Sequence, residues 1–214
     1  MGTLIDLQER LADRSRPTRG ARPAFFFDLA CPYSYLAAER AERLLGDVDW
    51  IPAAGRQLRS GPPLPDSDAD RERAEHVAAL LRLPLVWPER FPSEVPRALR
   101  AASYAGEIGA GPQFALAAAR LAFCGGFDLE DPEVLAEAAA AAGIPLGGCL
   151  EQAGDPAGDA QLRATGDGLR RRGVERLPAV RVGNRWFAGE YGLLAANATL
   201  RSPATRANPL APFG

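Results

Sequence analysis

The chain reads as an α/β protein in which one sheet-and-helix domain is interrupted by a large all-helical insertion. Three observations predict this. A β-α-β unit lies near the front, built on the apolar run Ala24–Phe27 and the helix after it. A β-β-α unit lies near the end, folded about Gly183-Asn184. The segments between them are alanine-rich and carry apolar residues at helical rather than alternating spacing.

Residues 3–12 place Leu4, Leu7 and Leu11 on one side of a short amphipathic helix, and a polar link follows. Ala24–Phe27 is continuous apolar sequence, as a strand covered on both faces requires. Residues 33–45 form the next helix, with Leu36, Ala37, Ala41, Leu44 and Leu45 as its apolar stripe and Gly46 as its stop. Residues 48–51 make the second strand, ended by Pro52.

Residues 61–65 are proline-rich and irregular, and 66–81 are helical. Pro84, Pro88, Pro92 and Pro96 exclude a regular helix from 83 to 96. Helices are expected at 96–105, 111–123 and 131–142. The last has Asp131 as N-cap, Pro132 in its first turn and Gly143 at its end. Residues 155–172 form a further helix, and Cys149 falls in a glycine-rich loop. Two short strands, 179–182 and 185–188, then flank the Gly-Asn turn. Residues 190–198 return to helix before a proline-rich tail. The expected organisation is therefore an N-terminal extension (1–20), a discontinuous sheet domain (21–60 and 173–200), a helical insertion (61–172) and a tail (201–214).

Composition narrows the function classes. The 214 residues are 47% hydrophobic and carry a net charge of −2, which supports a sizeable core and gives no nucleic-acid footprint. All 25 basic residues are arginine, so lysine Schiff-base chemistry and a Walker-type phosphate loop are excluded. Cys31, Cys124 and Cys149 are odd in number and far apart, which is not a disulfide framework. His76 is the single histidine, so no metal site is expected. No run reaches the ~20 apolar residues of a membrane span, and the N-terminus lacks the apolar core of a secretory signal. The expected compartment is the cytoplasm.

The chemistry concentrates at Cys31-Pro32-Tyr33-Ser34. A thiol where a strand passes into a helix meets unpaired N–H groups and the positive end of the helix dipole, which favour thiolate. Pro32 suits the first helical position. The spacing is that of a Cys-x-x-Cys motif with serine in the second place. Ser34 reads equally as a hydroxyl donor to the sulfur or as a first-turn residue satisfying the backbone. Tyr33 points toward the substrate side. Cys124 and Cys149 read as inert, His76 and Arg170-Arg171-Arg172 as solvated, and Trp50, Trp87 and Trp186 as core or cleft wall.

This layout, with Leu177-Pro178 directly before the hairpin, resembles the thioredoxin superfamily. The nearest likeness is its DsbA-like branch, which includes 2-hydroxychromene-2-carboxylate isomerases and kappa-class glutathione transferases. Segments 25–36, 91–100, 131–135 and 173–189 carry the resemblance, which spans residues 23–195. It implies a thioredoxin-like fold and a cis bond before Pro178, with Leu177 offering its backbone to substrate beside Cys31. Cys31 and Ser34 are the implied catalytic pair; Pro32, Tyr33, Leu177 and Pro178 are the implied substrate-binding residues.

The chain departs from both groups within the branch. Disulfide oxidoreductases carry cysteine where this chain has Ser34, and the isomerases and kappa transferases usually carry serine where it has Cys31. The leading expectation is a thiol-dependent oxidoreductase with one active-site cysteine. An isomerase or kappa-type transferase acting on a small aromatic or electrophilic substrate is the alternative, and a non-catalytic binding protein the third. No tightly held cofactor is expected. The implied cosubstrate is glutathione or another low-molecular-weight thiol, the implied partners are a small substrate or mixed disulfide, and a homodimer is an expected assembly.

Overall fold

The computed structural model describes residues 22–58 and 68–202. The helix expected at 3–12, most of the proline-rich stretch at 61–65 and beyond, and the tail after 202 lie outside the described residues.

Strand β1 is Ala24–Phe27 and strand β2 is Asp49–Pro52, which pair in parallel with Phe25 opposite Trp50. Helix α1, Pro32–Leu45, joins them, since parallel neighbours need a crossover. Strand β3, Ala179–Val182, runs antiparallel to β1, and β4, Arg185–Ala188, antiparallel to β3. The sheet order is β2-β1-β3-β4. Gly183, at φ 57°, takes the left-handed backbone that turns β3 into β4.

Between β2 and β3 the chain inserts helices: α2 (Asp68–Leu81), α3 (Pro96–Glu107), α4 (Gly111–Phe123), α5 (Pro132–Ala142), α6 (Leu146–Gly154) and α7 (Asp159–Arg170). Helix α8, Gly192–Arg201, returns to the sheet. The fold is α/β with a mixed four-stranded sheet and a helical insertion, as the sequence predicts.

All four residues of β1 are buried because both faces are covered. Phe25 and Phe27 face a core shared by Trp50, α1, the insertion and α8, while Ala24 and Phe26 face Leu58, Leu169, Val174 and Leu177. Phe25 meets Trp50 edge-on with centroids 4.9 Å apart. Asp131 caps α5 as expected, accepting the Glu133 N–H at 2.8 Å, and Gly143 closes that helix at φ 68°.

Two expectations fail. Cys149 is not in a loop: it is fully buried within α6, because Cys149, Leu150 and Ala153 supply an apolar face despite Gly147 and Gly148. The 155–172 segment is not one helix either. Pro156 opens a short 3-10 turn, Pro156–Gly158, capped by Asp155, and the α-helix begins only at Asp159. The second strand is shifted by one residue, and the last helix begins two residues and ends three residues later than expected.

Candidate functional site

The candidate site forms where four backbone segments meet: the β1–α1 turn, the loop after β2, the segment before β3 and the insertion. Cys31 is the N-cap of α1 with extended backbone (φ −107°, ψ 117°), and Pro32 occupies the first turn. The Cys31 carbonyl accepts the Ser34 and Tyr35 N–H groups at 3.0 and 3.2 Å. Leu177-Pro178 is a cis bond, and the Cys31 thiol donates to the Leu177 carbonyl at 3.6 Å. The structure therefore brings Cys31 and Leu177, 146 residues apart in the chain, into direct contact.

Ser34 is buried, and its hydroxyl accepts the Asp28 N–H at 3.2 Å. Ser34 also favours the Cys31 thiolate, against the effect of burial. The backbone-satisfying reading of Ser34 is the one the Asp28 hydrogen bond carries. Tyr33 is half-buried; burial and the Glu190 carboxylate push its hydroxyl up to about 12, against an opposing effect of Arg73. Pro178 is fully buried.

The thiolate expected from helix position alone is opposed by burial. Burial pushes the Cys31 thiol from 9.0 up to about 11, and the Asp28 carboxylate adds to the rise. Hydrogen bonds from Ser34 and the Tyr33 backbone act the other way without overcoming it. The magnitudes explain the outcome. A helix N-terminus contributes ~0.3–1 kcal/mol, less than one pKa unit, whereas desolvation shifts buried groups by several. The residue as a whole is half-buried, but it borders a packed space closed by Tyr35, Ala119 and Phe123.

Asp28 carries no role in the sequence reading, yet it organises the turn. Its carboxylate accepts the Ala30 N–H at 2.9 Å and the Gly55 N–H at 2.7 Å. The available signal was an aspartate at a strand end two residues before a turn amide, the Asx-turn pattern. Gly55 itself lies in a short 3-10 turn, Gly55–Leu58, for which no sequence signal was read.

Tyr35 is fully buried, donating to the Pro84 carbonyl at 2.9 Å with Cys124 Sγ 3.1 Å away. Burial and the Cys124 contact push its hydroxyl up. Beside Ala30 a shallow cleft is lined by Leu29, Pro88, Phe91, Phe123 and Phe127, with Ser93 and Asp128. The segment from 83 to 96 supplies its rim. Arg71 stacks over Trp87 and Phe91, at 5.1 and 5.2 Å, and holds that rim against α2. Trp50 is core, Trp87 and Trp186 are half-buried, and His76 and residues 170–172 are exposed.

A cysteine thus caps a helix against a residue followed by cis-proline, beside a mixed four-stranded sheet. The chain belongs to the DSBA-like thioredoxin domain family, whose pattern matches residues 24–195. Among solved structures it is similar to a 2-hydroxychromene-2-carboxylate isomerase, with TM-score 0.75 and 17% identity over 87% of this chain and 99% of that one. It is similar to a probable DsbA oxidoreductase from Streptomyces coelicolor, with TM-score 0.72 and 20% identity over 90% and 93%. It is also similar to the cytosolic disulfide reductase DsbM from Pseudomonas aeruginosa with glutathione, with TM-score 0.61 and 19% identity over 86% and 99%. No curated protein matches its sequence. No described helix is long and apolar enough to cross a membrane.

Proposed function

We propose that this protein is a thiol-disulfide oxidoreductase of the DsbA-like family that works with Cys31 as its single active-site thiol. The observation that carries the reading is the contact between Cys31 Sγ and the Leu177 carbonyl at a cis-proline. A disulfide docked there finds backbone groups to pair with and a sulfur in line. The Cys31 thiolate attacks one sulfur of a disulfide RSSR, forming Cys31–S–SR and releasing RS⁻. A second thiolate, R′S⁻, attacks the R sulfur of that adduct, forming RSSR′ and returning the Cys31 thiolate. Ser34 cannot take the second role, so the thiol must come from outside the motif, and glutathione fits as its source. Pro32, Tyr33, Leu177 and Pro178 form the substrate contact. Residues 21–60 and 173–200 supply the thiol domain, and the insertion walls the cleft. A reducing cytoplasm suits a chain with three free cysteines.

A second reading is favoured by the raised thiol. A Cys31 that stays protonated can donate its S–H to the thiolate of a bound cosubstrate, and the bound thiol is then the nucleophile of an isomerase or transferase. Phe91, Phe123 and Phe127 beside Ala30 offer contacts to an aromatic substrate.

One experiment separates the readings. After glutathione disulfide treatment at pH 9, intact mass should show one adduct on Cys31 that persists without added thiol. Ser34→Cys restores the i, i+3 dithiol and should clear the adduct as an internal disulfide. No Cys31 adduct on the native protein overturns the oxidoreductase reading. Conversion of 2-hydroxychromene-2-carboxylate with glutathione that survives Cys31→Ser supports the second. Neither activity leaves a binding protein.

A further inference from the structure

Tyr35 sits one turn beyond Cys31 on α1 and is fully buried. Its N–H donates to the Cys31 carbonyl at 3.2 Å, which ties it directly to the turn that presents the thiol. Its hydroxyl reaches two other segments. It donates to the Pro84 carbonyl at 2.9 Å, in the stretch after α2, and Cys124 Sγ, at the end of α4, lies 3.1 Å from the same oxygen. A phenol has one proton to give. With that proton on Pro84, the Cys124 thiol is the donor to the phenol oxygen. One buried oxygen thus joins the helix of Cys31 to two parts of the insertion.

The wall around the site hangs from the same contacts. The Tyr35 ring stacks on Phe123 with centroids 5.8 Å apart, and Phe91 meets Phe123 edge-on at 6.4 Å. The Val86 N–H donates to the Phe123 carbonyl at 2.7 Å. Phe123 borders both the packed space beside Cys31 and the shallow cleft beside Ala30, and Tyr35 closes the first of these. Glu39 of α1 separately accepts two hydrogen bonds from Arg120 of α4, at 2.6 and 2.7 Å. Loss of the phenol hydroxyl therefore frees the 83–96 stretch while α1 and α4 stay joined.

We propose that Tyr35 is a positioning residue that acts through Phe123 and the 83–96 stretch: its hydroxyl fastens them to the helix that Cys31 caps and so limits the size of group that reaches the thiol. A buried hydrogen bond is worth a net ~1 kcal/mol, about fivefold in the balance between a fastened and a released wall. The fastened wall leaves Cys31 to small groups, and the released wall admits bulky ones.

The inference rests on Cys31 being the reacting thiol of the proposed function, and it sets the size of the disulfide which that site takes. Its test uses alkylation, which needs no turnover. A protein that alkylates as expected but forms no adduct with glutathione disulfide loses the proposed function and keeps this role for Tyr35. Peptide-resolved labelling at pH 9 compares iodoacetamide with its N-pyrenylmethyl derivative, which has the same reacting carbon and no charge. Native Cys31 should discriminate against the bulky reagent more than free cysteine does, and the free-cysteine ratio overturns the proposal. Tyr35→Phe keeps the ring and removes the hydroxyl. It should relax the discrimination about fivefold, while Cys149, fully buried in α6, stays unlabelled. The native ratio in a folded Tyr35→Phe protein overturns the proposal. So does Cys149 labelling that rises with that of Cys31, since the loosening is then general. Where circular dichroism shows Tyr35→Phe unfolded, Cys124 decides. Cys124→Ala removes the donor to the phenol and should relax the ratio, and Cys124→Ser, which keeps an O–H, should restore it. Equal ratios in the native protein and both Cys124 variants overturn the proposal.

Discussion

Cys31 shows how a local rule and a tertiary one compete at a single atom. The helix end favours the anion, and burial with Asp28 favours the proton by more. Stability should record the result. The folded thiol keeps its proton to higher pH than the unfolded chain, so its contribution is fully present below about pH 9 and is lost as pH rises through about 11. The loss is at most about 2 kcal/mol, because the residue is half-buried. Denaturant melts at pH 8 and pH 11 should therefore show a smaller drop for Cys31→Ser than for the native protein. Equal drops would mean that the sulfur is solvated in the folded state.

At the scale of elements, α8 depends on a close approach. A Cβ at Gly192 would lie 2.8 Å from the Phe187 carbonyl oxygen and 2.9 Å from its carbon, both backbone atoms of β4. Neither can rotate away, so Gly192→Ala should destabilise by about 1–3 kcal/mol. A urea midpoint unchanged from the native protein would show that α8 can shift along β4 without loss. The elements also show what the sequence exposed. Asp131, Pro132 and Gly143 announce α5 through chemistry confined to its own ends, and Gly183 announces the hairpin in the same way. Cys31 and Pro178 were legible as a site because each sits at an element boundary. The role of Asp28 was not, because its partner Gly55 is 27 residues away and no periodicity links them. Cys149 was misplaced because glycines at 147 and 148 outweigh, in a local reading, the burial that α3 and α5 impose on α6.

Across the whole molecule, one apolar core joins the sheet to the insertion. Phe25, Phe27 and Trp50 from the strands lie in the same cluster as Ala98, Phe114 and Leu135 from α3, α4 and α5. Unfolding should accordingly be a single transition, with Trp fluorescence and far-ultraviolet circular dichroism coinciding. Phe114, fully buried on α4, is the probe: Phe114→Ala should cost about 3–5 kcal/mol and lower both signals together. Separate transitions would show that the helical block folds on its own.

The sheet order leaves two outer strands, β2 and β4, and the molecule treats them differently. Helix α3 packs on β2, with a Cβ at Gly106 only 4.0 Å from the Trp50 carbonyl, so that flank is roofed by the insertion. The β2 strand also ends in Pro52, which has no N–H to offer a newcomer. On β4, exposed Arg185 lies over Phe187, and Arg172 lies over Trp186, setting charge on the apolar side chains of that strand. A guanidinium there makes the docking of a foreign strand electrostatically and sterically unfavourable. The helical insertion and a pair of arginines thus flank the two outer strands of the described sheet.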